Sequence, residues 1–320
     1  MLEVLIGSEL KEEFRMRMLD LGGSGLISSE IALGVMRITK LDHQGAVKLL
    51  ESAHNAGVNF FDNADIYDGG HAEEVFGAAL KDASFDRSDV LVQTKVGIVD
   101  HRYDFSKQHI LEAVDASLAR LGTDYVDSLL LHRPDPLMEP DDIAEAFLQL
   151  QNSGKVRQFG VSNFNPMQVE LLQQAVPQRL IANQLQLSIM HTGMIDFGLH
   201  TNMSDPRSVN HDGGILEYSR MAGMAIQAWS PYQYGFFEGV FIDNPKFPEL
   251  NKLLHELADK YNTNVNAIAS AWILRIPGDI QVIAGTTNAD RIAQIAEADQ
   301  APLTAQEWYD VYFAAGNDLP

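Results

Sequence analysis

The chain has 320 residues, 46% of them hydrophobic, with 44 acidic side chains against 23 basic ones, a formal net charge of −21 and no cysteine. That size and apolar content build a globular core, while the acidic excess and scattered Lys and Arg exclude a nucleic-acid-binding face. Disulfides, thiolate metal sites and a cysteine nucleophile are excluded outright.

Met1–Leu21 mixes Glu3, Glu9, Lys11, Glu12, Glu13, Arg15 and Arg17 among its apolar residues, unlike a signal segment. No apolar run approaches the roughly 20 residues that a spanning helix needs. The expectation is a cytoplasmic protein without a membrane partner, in which Met1–Ser29 forms a lid over the barrel bottom.

From Ile31 onward, apolar runs of strand length alternate with amphipathic stretches of helical spacing. The strand candidates are Ile31–Met36, Val58–Asp62, Val90–Lys95, Val126–Leu131, Val156–Val161, Leu180–Gln184, Ala225–Trp229 and Gln281–Ala284. The helix candidates between and after them are Leu41–Ala56, His71–Leu80, Lys107–Leu121, Asp141–Ser153, Pro166–Ala175, Gly214–Met221, Leu250–Leu274 and Asn288–Ala298. Glycine ends the helices at Asn55-Ala56-Gly57 and Ser153-Gly154, and Asn165-Pro166 opens one with a cap and a first-turn proline. Eight such repeats predict a single α/β domain, a closed parallel (β/α)8 TIM barrel, with an extra helix and tail over Pro302–Pro320.

In such a barrel, polar residues at the carboxyl ends of strands converge on one mouth although they lie far apart in sequence. Asp62 and Tyr67 follow the second run, Lys95 the third and His132 the fourth. If the reaction is reduction of a carbonyl, negative charge grows on its oxygen as hydride arrives, and a proton donor in an electropositive setting is needed there. Tyr67 fits the donor, Lys95 an ammonium that draws the phenol pKa from about 10 toward the working pH, Asp62 the anchor of Lys95, and His132 the group that orients the oxygen. Each has a plain structural alternative: a buried Tyr, a surface Lys, a helix cap at Asp62, a loop-ordering His. Their joint placement on neighbouring strands favours a site.

The stretches Gly57-Val58-Asn59-Phe60-Phe61-Asp62-Asn63-Ala64-Asp65-Ile66-Tyr67, Thr94-Lys95 and Leu130-Leu131-His132-Arg133-Pro134-Asp135 resemble the aldo-keto reductase superfamily. The chain is most similar to its bacterial branch with a His-Arg-Pro-Asp-Pro turn and a short tail closing on proline. The resemblance runs from about Ile31 to Pro320. It implies an oxidoreductase that reduces aldehydes or ketones with a nicotinamide cofactor, Tyr67 being the general acid, Lys95 and Asp62 tuning it, and His132 positioning the carbonyl.

No Gly-x-Gly-x-x-Gly follows an early strand and no Gly-Lys-Ser/Thr loop is present. A nicotinamide would therefore sit in the mouth, held by strands five to eight. Ser162, Asn163 and Gln184 offer a hydroxyl and amides to its carboxamide, as the resemblance also implies. Trp229-Ser230-Pro231, with Tyr232 next to them, would flank the pyrophosphate, and which aromatic ring stacks on the nicotinamide stays open. Gly285, Thr286 and Thr287 lead into a helix whose start suits a phosphate, with Arg291 placed to clamp the 2′-phosphate of NADP; the alternative is an exposed Arg beside Asp290. Gly34, Met36 and Arg37 match a family segment near the nicotinamide and its pyrophosphate, the alternative being strand-end packing with Arg37 in water. NADPH is the expected cofactor; the family's NADP-preferring members often carry Lys-Ser where Gly285-Thr286 stands here, and the loss of that Lys leaves NADH open beside it.

The loops Gly97–Phe105 and Tyr232–Phe241 carry Val99, Tyr103, Tyr232, Tyr234, Phe236 and Phe237, a set suited to a substrate wall around a small-molecule carbonyl. Two other functions compete: a cofactor-sensing barrel of the channel-associated kind, and a metal-dependent hydrolase using His54, His71, His132 or Asp62. The second lacks a His-x-His pair at a strand end, and no metal is expected. The sequence leaves the physiological substrate, the direction of reaction and the oligomeric state unset.

Overall fold

The computed structural model describes residues 16–320. Eight parallel strands close into a barrel: β1 (Ile31–Gly34), β2 (Phe60–Asp62), β3 (Leu91–Val96), β4 (Val126–Leu131), β5 (Val156–Ser162), β6 (Leu180–Gln186), β7 (Ala225–Trp229) and β8 (Ile280–Ala284). They follow one another around the ring in chain order, β8 pairing with β1 to close it. Burial on both faces explains why these runs read as nearly continuous apolar segments rather than as alternating ones; every residue of β4 and β8 is buried.

Helices His43–Asn55, His71–Asp82, Lys107–Leu121, Pro140–Asn152 and Pro166–Ala175 cover the first five strands from outside. Their starts follow the chemistry of the sequence. The Asp42 side chain accepts from Gly45 N, and Asn165 and Gln168 form a reciprocal capping box with Pro166 in the first turn. The apolar stripes of these helices meet the outward side chains of the strands in one large buried cluster, while a smaller cluster of Leu21, Leu26, Ala32, Phe60, Ile181, Ala182, Ala225 and Ile283 fills the lower barrel.

That lower end is closed by an antiparallel hairpin, Met18–Asp20 with Ile27–Ser29. Its turn lies directly on the barrel: a Cβ at Gly22, where φ is +57°, would stand 2.4 Å from the Ile181 carbonyl oxygen. The lid expected over Met1–Ser29 is thus a hairpin in its second half, and residues 1–15 lie outside the described residues.

Several boundaries differ from the sequence reading, each for a local reason. β1 stops at Gly34 and β2 starts at Phe60, so Met36 and Arg37 are in the turn beyond β1. The single helix expected over Leu250–Leu274 is two, Pro248–Tyr261 and Val265–Leu274. Asn262 takes a left-handed φ of +51° and Asn264 caps the second helix, so the break needs three residues that the apolar periodicity runs through. The stretch after β8 is helical over Ala289–Ile295 and then makes a separate turn at Ala298–Gln300. A helix at Gly193–Leu199 was not foreseen. The extra C-terminal helix is Ala305–Ala314. Among the described residues, no helix is long and apolar enough to cross a membrane.

Candidate active site

Asp62 is the last residue of β2, Lys95 sits within β3 one residue before its end, His132 immediately follows β4, and Tyr67 opens a single turn, Tyr67–Gly70. The barrel brings all four together. Lys95 Nζ lies 2.8 Å from the Asp62 carboxylate, donates to the Asn63 carbonyl oxygen at 2.8 Å and to the Tyr67 hydroxyl oxygen at 3.0 Å. Because the ammonium donates to the phenol oxygen, the hydrogen of the phenol is left for another acceptor. The His132 ring meets the Tyr67 ring edge-on at 5.9 Å, and its Nδ1 has no partner among the described residues.

Electrostatics follow from burial and from this packing. Burial pushes the Tyr67 phenol above its ordinary 10.0; the Lys95 charge pulls it down without cancelling that push. Lys95 thus acts in the direction expected of it, toward a lower phenol pKa, but the net pKa moves away from the working pH. Burial would drive the Lys95 ammonium down, but the Asp62 charge and the Tyr67 oxygen outweigh it and its pKa is raised. Burial, with Lys95 and Arg133 adding to it, holds His132 well below 6.5, so this imidazole is neutral at pH 7.

A cavity of about 570 Å³ opens onto this cluster at the carboxyl ends of the strands, within the size range of small-molecule sites. Asp62, Tyr67 and His132 line it, while Lys95 is fully buried and reaches it only through its partners. Gly34, Met36, Arg37, Ser162, Asn163, Gln184, Trp229, Ser230, Pro231, Tyr232, Gly285, Thr286, Thr287 and Arg291 all line the same cavity. Arg37 donates to the Gly285 carbonyl oxygen at 2.5 Å, tying the loop after β1 to the loop after β8.

Two strand ends in the cavity wall carry strained backbone. Asn163 and Ser230, just past or at the ends of β5 and β7, hold φ values of +61° and +52°, a conformation that costs a non-glycine residue on the order of 1–3 kcal/mol and clusters at functional sites. The turn at Asn163 is fastened by its own side chain, which donates to Ser162 Oγ at 2.7 Å and accepts from the Trp229 indole at 3.2 Å.

Some expectations are not met. Of the proposed aromatic wall, Tyr232 and Phe237 line the cavity, whereas Val99 and Tyr103 do not, and Tyr234 packs against Phe247 at 5.0 Å. Phe236 packs on Phe237 and Trp229, at 4.8 and 6.5 Å. The histidines weighed as metal ligands do not gather: His54 stacks on Phe85 at 4.2 Å and His71 pairs with Glu74 at 2.9 Å. Lys40 and Arg133 also line the cavity and were missed. Lys40 supplies a cation from the loop after β1, where a search for Lys beside Arg291 does not look. Gln93, Gln227 and Gln281 were missed as well, though Gln227 and Gln281 each interrupt an otherwise apolar strand run, as in Ala225-Ile226-Gln227-Ala228-Trp229.

The comparisons with known proteins agree with this geometry. The model for the aldo/keto reductase family matches residues 30–312. The chain is 34% identical over 307 residues to uncharacterized oxidoreductase YcsN of Bacillus subtilis (strain 168), covering 91% of this chain and 96% of that one. It is 34% identical over 277 residues to a 6-dehydroglucose reductase of Agrobacterium fabrum, covering 83% and 86%. The crystal structure of an aldo-keto reductase from Klebsiella pneumoniae in complex with NADPH shares the fold, with a TM-score of 0.74 at 23% identity over 92% of this chain and 94% of that one. A family match across nearly the whole barrel, on a fold whose strand ends bring Asp62, Tyr67, Lys95 and His132 together, places the chain in the aldo/keto reductase family of oxidoreductases.

Proposed function

We propose that this single-domain protein reduces aldehyde or ketone carbonyls to alcohols, with NADPH as hydride donor and Tyr67 as the acid that protonates the carbonyl oxygen. The observation that carries this is the Lys95 Nζ bond to the Tyr67 oxygen, 3.0 Å long. It leaves the phenol hydrogen free at the cavity and sets a positive charge beside the phenolate that proton transfer creates. Neutral His132 supplies a hydrogen-bond partner to the substrate oxygen without competing for the proton.

The cavity residues fit the cofactor. The Gln184 side-chain oxygen makes no hydrogen bond within the described residues and suits a carboxamide NH2. Ser162 and Asn163 flank it, Trp229 offers an aromatic wall, and Arg37, Lys40 and Arg291 line the cavity as cations, suited to a pyrophosphate and a 2′-phosphate. NADPH over NADH follows from that cationic lining, and the fold neighbour from Klebsiella pneumoniae binds NADPH. When bound, NADPH supplies the hydride to the carbonyl carbon; Tyr67 gives up its proton to the oxygen and regains one from water.

The test is Tyr67→Phe, assayed on a panel of aromatic and hydroxylated aldehydes and of ketones. Loss of general-acid catalysis should lower kcat by about 10²–10⁴-fold, with the NADPH Kd by fluorescence quenching unchanged. Full turnover by the variant on every carbonyl that the wild type reduces would refute the assignment.

A further inference from the structure

The barrel interior holds a row of side-chain amides that proton transfer from Tyr67 does not itself require. Gln93 of β3, Gln227 of β7 and Gln281 of β8 are fully buried, at depths where such barrels ordinarily place branched apolar residues. The direction of hydrogen bonding along the row is forced from its lower end. Gln281 Nε2 donates to the backbone carbonyl oxygen of Ser29 at 2.8 Å. A carbonyl oxygen only accepts, so the Gln281 amide must turn its Oε1 the other way.

That oxygen accepts from Gln227 Nε2 at 2.9 Å, which leaves Gln227 Oε1 facing Gln93 Nε2 at 2.9 Å and Gln184 Nε2 at 3.3 Å. Both of those nitrogens donate in turn to Asp62 Oδ1, at 2.7 and 3.1 Å. Ser128 Oγ donates to Gln93 Oε1 at 3.0 Å and holds that amide the same way round. Of the four amides, only that of Gln184 keeps an oxygen without a donor among the described residues, and Gln184 lines the cavity.

We propose that Gln227 is a positioning residue: its oxygen holds the Gln93 and Gln184 amides nitrogen-first on Asp62, and so turns the Gln184 oxygen to the cavity to accept from the carboxamide of the nicotinamide. This rests on the reductase reading above. A Gln227 amide turned over would set its NH2 against two other NH2 groups, an unpaired buried arrangement that the bond to Ser29 prevents.

The test measures Kd by fluorescence quenching for NADPH, and by displacement for two probes: the reduced 3-acetylpyridine analogue, whose methyl ketone lacks the carboxamide NH2, and 2′,5′-ADP, which lacks the nicotinamide. For Gln227→Met, the NADPH Kd should rise about tenfold, the size of one buried hydrogen bond. The analogue should bind as it does to wild type, so its disadvantage against NADPH disappears, and an unchanged 2′,5′-ADP Kd shows the fold intact. Gln227→Glu is the conservative control. Its carboxyl keeps an oxygen for the Gln93 and Gln184 amides in either protonation state and gives up only one or both of the hydrogens that Gln227 Nε2 donates to Gln281 Oε1 at 2.9 Å and Gln93 Oε1 at 3.3 Å. It should therefore keep the wild-type ratio of NADPH to analogue that Gln227→Met loses. If Gln227→Met keeps that ratio, or Gln227→Glu loses it to the same extent, the role of Gln227 is overturned. If the wild type itself gains nothing from the nicotinamide over 2′,5′-ADP, the reductase reading falls instead.

Discussion

The proposed acid role requires Tyr67 to be a neutral phenol, and its surroundings favour that state by burial while keeping the Lys95 ammonium close enough to balance a phenolate. The pH behaviour follows with a definite sign. Because the phenol pKa is raised above 10.0, kcat/KM for carbonyl reduction should stay level through neutral pH and decline only in strongly alkaline buffer. His132, held well below 6.5, adds no break near its ordinary value. An alkaline limb centred near neutrality in the steady-state profile would contradict this. The four residues of the proposed site were legible because each stands at or close to a strand end. Gln93, Gln227 and Gln281 are a different case: a Gln within a strand run reads equally well as facing a helix or the barrel axis, and only closure of the ring decides which. The net pKa of Tyr67 was not legible either, since it depends on how deeply the mouth buries the phenol.

At the scale of elements, the contact between the lower hairpin and the C-terminal turn carries a cost that pH controls. Glu30 links the hairpin to β1 and is 3% exposed, packed against Asp299 of the Ala298–Gln300 turn, with Arg17 3.9 Å away. Burial, then the hydrogen bond and charge of Asp299, push Glu30 up to about 8 from 4.5. The folded state therefore holds a proton that the unfolded chain releases, and this contribution is complete below pH 4.5 and lost as the pH rises through about 8. Glu30→Gln, which needs no proton, should melt at a higher temperature than wild type in alkaline buffer, with that advantage gone in acidic buffer. Equal shifts of Tm at both pH values would count against the pairing. Helix borders show where sequence reading stops at this scale. Asn262-Thr263-Asn264 holds both a terminator and a cap, yet the apolar stripe continues through it, and periodicity alone reads one helix.

Across the whole molecule, the barrel was legible because eight apolar runs, each buried on both faces, leave little else that a parallel sheet can do. The hairpin turn pressed on Ile181 and the amide row that starts from Ser29 were not, because they depend on contacts between segments more than 150 residues apart.

The cationic lining of the mouth has a kinetic consequence. Arg37, Lys40, Arg133 and Arg291 line a cavity in a chain of net charge −21, so an anionic cofactor is repelled at long range and attracted only at close range. The screening length is about 10 Å at 0.1 M salt, which dims the distant repulsion before it reaches contacts inside the mouth. Added salt should thus speed the encounter with NADPH at low ionic strength, in stopped-flow fluorescence, while also speeding its departure. An association rate that falls steadily as salt is added would mean that steering by the local cations already outweighs the field of the rest of the protein.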